Sequence, residues 1–170
     1  MLLPAGELPA LKEALIERLN EARLAEEIEI AVEEDSGHNK RRYLLLVAQT
    51  SNGYILGRDV LYSLREHRLR MKDSDIKEYM IATVVNDLTS EINFGGCVDR
   101  YMQDKLVIYQ ALSAGRSFVN AGSGRKHAEG SLHTKTARWV MESLAGVKFG
   151  GEAKEEVVGV GLKAGTLEWN

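Results

Sequence analysis

The sequence predicts a mixed α/β protein, on three observations. Apolar residues recur at helical spacing in four segments; short runs of strand character lie between them; and the two kinds of segment alternate along the chain.

Leu8, Leu11, Leu15, Ile16, Leu19 and Leu24 stand at helical spacing with Glu, Lys and Arg between them, so an amphipathic helix is expected over 8–24. Glu26 to Val32 alternates acids with Ile, Ala and Val, the period of a strand with one wet face. The polar stretch Glu33 to Arg42, with Gly37 inside it, reads as a loop, and Tyr43 to Gln49 as a buried strand. Ser51-Asn52-Gly53 supplies a turn, from which Tyr54-Ile55-Leu56 returns as the hairpin partner. A helix over 74–91 has Ser74 as N-cap and Ile76, Met80, Val84, Val85 and Leu88 on one stripe.

Gly95-Gly96 breaks the chain. Helical spacing resumes from Val98 to Ser113, with Val98, Met102, Leu106, Tyr109 and Leu112 as the inward stripe and Gly115 as the residue that ends it. Ser117–Val119 is a short strand, and Asn120 to Gly130, rich in Gly and charge, is a loop. A helix from Leu132 to Leu144 buries Ala137, Val140, Met141 and Leu144 and stops at Gly146. Val157 to Leu162 closes the fold as a strand, and residues 164–170 are a frayed tail.

Composition narrows the function classes. With 170 residues, 44% hydrophobic and 28% charged, the chain can bury the core of one domain or two small ones. A net charge of −3 gives no global pull toward nucleic acid, so RNA contact would need a local basic patch. One cysteine, Cys97, excludes an internal disulfide, and His38, His67, His127 and His133 lack metal-ligand spacing. No apolar run approaches the length of a membrane span and no signal segment opens the chain. A soluble intracellular protein with no membrane partner is expected.

Two segments carry chemistry. Gly95-Gly96-Cys97-Val98-Asp99-Arg100-Tyr101-Met102-Gln103-Asp104-Lys105-Leu106-Val107 is similar to the glycine-then-helix motif of RNA 3′-terminal phosphate cyclases, G-[GA]-x-V-[DG]-x-Y-L-x-D-Q-L. Ser131-Leu132-His133-Thr134-Lys135-Thr136-Ala137 resembles that family's [ST]-L-H-T-x-T-[AN] histidine motif. Both occur in the family's order, and the strand and turn from Leu44 to Gly53 (LLLVAQTSNG) add to them. The resemblance covers roughly residues 10–163.

The resemblance implies an inserted α/β domain over 1–96 and the last βαβ-type repeat of the cyclase core over 97–163. It also implies an ATP-dependent conversion of an RNA 3′-phosphate into a 2′,3′-cyclic phosphate. In that reaction a histidine takes AMP from ATP with loss of pyrophosphate and passes it to the RNA 3′-phosphate, and the vicinal 2′-hydroxyl displaces it. By motif match His133 is the nucleophile, while Tyr101, Asp104 and Lys105 lie on nucleotide-binding positions, with ATP and Mg²⁺ as cofactors. Lys105 departs from the family's usual Gln and bears on affinity for ATP.

The physics is compatible. The positive end of a helix dipole disfavours the imidazolium, which leaves a ring nitrogen lone pair available, and free N–H groups there can hold a phosphate. Tyr101 and Asp104, three apart, share a helix face where a ring could stack on adenine and a carboxylate could accept from ribose or bind Mg²⁺. The partners implied are RNA 3′-phosphate ends and either the family's N-terminal half or another subunit that supplies it. The expected setting is the nucleus (nucleoplasm or nucleolus) or the cytoplasm.

Plainer readings stand beside these. Tyr101 as amphipathic core and Asp104 as a partner of Arg100 one turn earlier are as good as their ligand roles. Gly122-Ser123-Gly124-Arg125-Lys126 lacks the spacing of a phosphate-binding loop, and His127, with Arg125 and Lys126, reads as solvated loop. Cys97 reads as a small buried hydrophobe. Family members are about twice this length, so whether the chain is itself an enzyme stays open. The competing functions are a non-catalytic cyclase-like factor of ribosome biogenesis, against which His133 argues because that branch lacks the histidine, and an inactive fragment.

Overall fold

The helical spacing of Leu11, Leu15 and Leu19 puts all three on one face of α1 (Leu8–Glu21), and that face is buried. In the computed structural model, which describes residues 1–24, 27–63, 72–122, 130–152 and 154–163, the helix ends three residues before the expected 24. Arg23, at φ 52°, turns the chain out of the helix. Its N–H donates to the Asn20 carbonyl and that of Leu24 to Leu19, the paired closure that glycine usually supplies.

The chain divides into two compact units, Met1–Asn93 and Phe94–Asn170. In the first, β1 (Leu2–Leu3), β2 (Glu34–Asp35), β3 (Arg41–Gln49) and β4 (Ile55–Ser63) form one sheet in the order β2-β1-β3-β4. β1 pairs in parallel with β2, and the other neighbours are antiparallel. The hairpin register runs from Arg41 opposite Ser63 to Gln49 opposite Ile55. Its loop is closed by the Gly53 N–H, which donates to the Thr50 carbonyl, with Gly53 at φ 80°.

Two strand expectations need correction here. Among residues 27–32 no strand forms; a strand needs a partner ladder, and β1 offers parallel partners only to Glu34 and Asp35. The period of two survives as burial alone, with Ile28 packed against the core. β3 is not a buried strand, because only one face of the sheet is covered. Arg42 and Leu44 face in, while Leu45 and Val47 stand 46% and 61% exposed. By register, Leu45, Val47, Ile55, Asp59 and Leu61 share that open face.

The covered face packs Leu44, Val60 and Tyr62 against Leu11, Leu15 and Leu19 of α1 and against α2 (Asp73–Phe94). α2 contributes Ile76, Met80, Ile81, Val84 and Val85 to this core, and Leu88 is buried on the same stripe. Ser74 is not its N-cap. The helix begins one residue earlier, the Lys72 carbonyl accepts from the Ile76 N–H, and the Ser74 hydroxyl donates to Asp75 Oδ1. Among the described residues, two ion pairs in this layer have buried arginines. Arg42 holds Glu7 through Nε and Nη2 at 2.7 and 2.6 Å, and Arg58 of β4 meets Glu91 of α2 with both side chains 3% exposed.

The second unit contains α3 (Arg100–Leu112), β5 (Ala114–Phe118), α4 (Leu132–Ala145), β6 (Phe149–Gly150) and β7 (Glu156–Val160). The strands form an antiparallel sheet ordered β5-β7-β6. Val107, Ala111, Met141, Val147, Phe149 and Val157 make its core, so both helices cover the same sheet face. At Gly159 a Cβ would run into the Ser113, Gln110 and Ala111 carbonyls; the missing side chain lets the end of α3 lie on β7.

Both helix faces differ from expectation. α3 buries Gln103, Val107, Gln110 and Ala111, leaving Met102 and Tyr109 44% and 71% exposed. The close approach at Gly159 selects small or amide side chains for the inner face, and Gln110 Nε2 donates to the Glu155 carbonyl there. α4 buries Thr134, Arg138 and Met141, while Leu144 is 80% exposed; the Arg138 guanidinium lies 5.7 Å from the Phe149 ring centroid. Gly146, at φ 69°, ends α4 as expected. Gly115 does not end α3 but lies within β5. The loop residues Arg125, Lys126 and His127 and the tail 164–170 lie outside the described residues.

Candidate functional site

Connectivity decides which helix ends meet. β7 closes against the end of α3, where Gly161 and Leu162 N–H groups donate to the Ser113 and Leu112 carbonyls. β5 runs back from that end, so its exit at Val119–Asn120 returns to the start of α3, and the Cys97 N–H donates to the Asn120 carbonyl at 2.8 Å. β6 is antiparallel to β7 and hence parallel to β5, and α4 feeds it through a short link. Both helices therefore run opposite to β5 and β6, and their N-termini lie at one end of the unit.

The start of α3 is built by backbone against backbone. A Cβ at Gly96 would come within 2.7 Å of the Ala121 carbonyl carbon, and Gly122, at φ 86°, meets Gly96 N and the Phe94 carbonyl in the same way. Asn120 Oδ1 accepts from the Gly122 N–H at 2.8 Å and the Cys97 thiol donates to the Asn120 carbonyl. The glycine in the motif thus serves a close strap between two chain segments. Asp99 then caps the helix, its Oδ1 accepting from the Tyr101 and Met102 N–H groups at 2.8 and 2.9 Å.

Tyr101, in the first turn, is 55% exposed. Arg100 lies over it, 4.9 Å from the ring centroid, and donates to its hydroxyl at 3.0 Å, so Arg100 engages Tyr101. Asp104, one turn on, is half-buried, and its Oδ1 is sealed from solvent without a hydrogen-bond partner among the described residues. Buried carboxylate oxygens nearly always accept a hydrogen bond, and this one, being sealed, would reach a donor from outside the chain only after the groups covering it shift. Lys105 is exposed.

α4 opens on Ser131, whose hydroxyl accepts from the Thr134 N–H at 3.1 Å. Thr134 is fully buried beneath Gly130, which at φ 90° leaves no room for a side chain. His133, between them, is exposed, with no partner for its ring among the described residues. The site end thus displays a histidine in the first turn of α4 and Tyr101, Asp104 and Lys105 in the first turns of α3. No group of three His, Cys, Asp or Glu that could hold a metal exists among the described residues. A cation here would need oxygens from a bound phosphate beside a single carboxylate, the usual habit of Mg²⁺.

Sequence reasoning did not assign Asp99, although an acid just before a helical run is a cap signature, nor the pairing of Gly96 with Gly122, which is nonlocal and leaves no local signal. Ser117 Oγ, on the inner face of β5, is a second sealed polar atom without a hydrogen bond among the described residues.

The family model described as RNA 3′-terminal phosphate cyclase matches residues 6–150. The chain is similar to the RNA 3′-terminal phosphate cyclase of Drosophila melanogaster, 49% identical over 53 residues, 31% of this chain and 13% of the relative. It is similar to the probable RNA 3′-terminal phosphate cyclase of Dictyostelium discoideum, 36% identical over 72 residues, 42% of this chain and 15% of the relative. It is similar also to the RNA 3′-terminal phosphate cyclase of Methanosarcina barkeri (strain Fusaro / DSM 804), 36% identical over 70 residues, 41% of this chain and 19% of the relative. The aligned segments therefore cover between 13% and 19% of the length of these curated relatives. No helix among the described residues is long and apolar enough to cross a membrane. The family match extends over most of the chain and takes in both motif helices, and on that ground the chain belongs to the RNA 3′-terminal phosphate cyclase family.

Proposed function

We propose that this chain carries the nucleophile and part of the nucleotide pocket of an ATP-dependent RNA 3′-phosphate cyclase. In this reading residues 1–96 correspond to the inserted α/β domain and 97–163 to the last core repeat. The observation that carries it is the shared end of the second unit, where α4 presents an exposed His133 in its first turn and α3 begins with an exposed Tyr101 and with Asp104, whose sealed Oδ1 has no hydrogen-bond partner among the described residues.

In this reading His133 attacks the α-phosphate of ATP through a ring nitrogen, pyrophosphate leaves, and the AMP so held passes to the RNA 3′-phosphate. The vicinal 2′-hydroxyl then closes the ring and releases AMP. The Leu132 and His133 N–H groups, which find no acceptor among the described residues, would hold phosphate oxygens. Tyr101 offers a ring face to adenine, and the Asp104 carboxylate, once the groups covering it shift, would accept from a ribose hydroxyl or face the cation. Lys105 adds a charge near the phosphates. Mg²⁺, when bound, neutralises phosphate charge there. Because family members build the rest of the site from other segments, activity is expected to need those segments.

Incubation with α-labelled ATP and Mg²⁺, alone and with the remainder of a family member added in trans, tests the reading. Label should attach weakly or not at all to the chain alone and strongly with the added part. It should vanish in His133→Ala and fall in Asp104→Asn without loss of stability. Label that survives His133→Ala ends the assignment.

A further inference from the structure

The second unit leaves one sheet face uncovered. Register sets Phe118 opposite Glu156, Arg116 opposite Val158 and Ala114 opposite Val160, all on the face away from α3 and α4. Phe118, Val158 and Val160 are 61%, 60% and 51% exposed. Continuing the β6–β7 register by one residue from Phe149 opposite Val157 sets Lys148, exposed between buried Val147 and Phe149, on the far side of Val158. An aromatic ring and an apolar ridge are thus flanked by two cations.

We infer that this face is a binding surface for single-stranded RNA, with a base stacked on Phe118 and phosphates held by Arg116 and Lys148. It rests on the RNA reading above and adds to it a place where the body of the strand is held, away from its 3′ end. Charge favours it. Residues 94–170 hold 10 Lys and Arg against 8 Asp and Glu, whereas residues 1–93 hold 12 against 17, so the basic half of the chain carries the platform.

Size decides against a protein partner. β5 and β7, of five residues each, and the two-residue β6 make a patch of at most roughly 16 Å by 10 Å, on the order of 150 Å². A stable protein interface needs about 800 Å² on each partner, whereas two or three nucleotides fit the patch. Arg116 is held at 2.6 Å by Glu156, yet its side chain remains 76% exposed, so its outer N–H groups stay open to phosphate. The pairing also gives the proposal a direction of change: neutralising Glu156 strengthens the local positive field.

The test is fluorescence anisotropy with a labelled 12-nucleotide RNA, carrying a 3′-hydroxyl or a 3′-phosphate, titrated with the whole chain at several salt concentrations. Phe118→Ala should weaken binding about 5- to 150-fold, the range of one lost base stack. Arg116→Glu with Lys148→Glu should flatten the salt dependence by between one and two units of slope. Glu156→Gln should tighten binding, and the 3′ end should matter little. All four side chains are surface groups, so unchanged thermal unfolding confirms that the variants fold. Binding within twofold of the wild type in both loss variants overturns the proposal, as does a wild-type chain that binds no RNA at low salt. Self-association abolished by the same substitutions, seen by sedimentation, overturns it in favour of a protein contact. RNA binding that is lost in Phe118→Ala while no His133 adduct forms under any condition upholds this surface and rejects the cyclase reading.

Discussion

Replacing Glu91 by Ala should be among the most damaging single changes in the first unit. Glu91 and Arg58 are each 3% exposed and tie α2 to β4, and Arg58 Nη1 also donates to the Gly57 carbonyl. Removing the carboxylate strands a guanidinium that cannot reach water. Breaking one side of such a pair costs about 3–5 kcal/mol. For a unit of this size each kcal/mol moves the midpoint by roughly 4–8 °C, so the transition should fall by at least about 12 °C. In urea the midpoint should drop by at least about 1 M. Both tryptophans, Trp139 and Trp169, lie outside this unit, so the transition is best followed by tyrosine near-UV circular dichroism and by hydrogen exchange of α2 amides. The pair of changes Arg58→Met and Glu91→Leu should recover most of the loss, because an apolar pair needs no desolvated charge. A Glu91→Ala cost below about 1 kcal/mol, or a double variant less stable than the single one, would refute the reasoning.

Gly159→Ala should destabilise the second unit by about 1–3 kcal/mol or more, since its Cβ meets three backbone carbonyls at the end of α3; Trp139 fluorescence during urea unfolding reads it, and a neutral result would mean that α3 does not seat there. Asp99→Ala should cost about 1 kcal/mol by removing two hydrogen bonds to the first turn of α3, whereas Asp99→Ser should retain most of the stability; equal losses in both would show that the cap is not the cause. Partial burial, and next the charge and hydrogen bond of Asp59, raise the Tyr43 pKa above the usual 10.0. The folded protein therefore binds the phenolic proton more tightly than the unfolded chain. The resulting stability is complete below pH 10 and is lost as pH rises beyond it, so the wild type should lose stability relative to Tyr43→Phe above pH 10; parallel profiles up to pH 11.5 would contradict this.

The parts of the fold that were legible are those where one local rule acts alone. α1 and α2 follow their leucine and isoleucine stripes because a single broad core lies beneath them, and Gly146 ends α4 because only a left-handed residue fits there. Misreadings came where tertiary contacts overrule the local pattern. α3 offers Met102 and Tyr109 as apolar candidates, yet its inner face is set by how closely β7 approaches through Gly159, and small or amide side chains win. Glu27 to Val32 has strand periodicity and no partner to complete a ladder. The candidate site is read from two motifs, which name its residues. Their placement at one end depends on the order of β5, β7 and β6, a nonlocal fact that spacing along the chain does not encode.

Asp59 stands at the midpoint of β4, and β4 is the edge of its sheet among the described residues, nine residues long with an apolar open face. Such an edge invites a second copy to add its own β4. In the full antiparallel register of two identical strands, residue 59 lies opposite itself, so two carboxylates would face each other at the centre of the new ladder. Shifting the register by two residues to avoid this shortens the ladder, and shifting by one turns the apolar row to the other face. A single acid at the centre of the strand therefore acts as a guard against self-templated stacking, and its removal would be felt first in the solubility of concentrated protein and in the growth of β-rich aggregates.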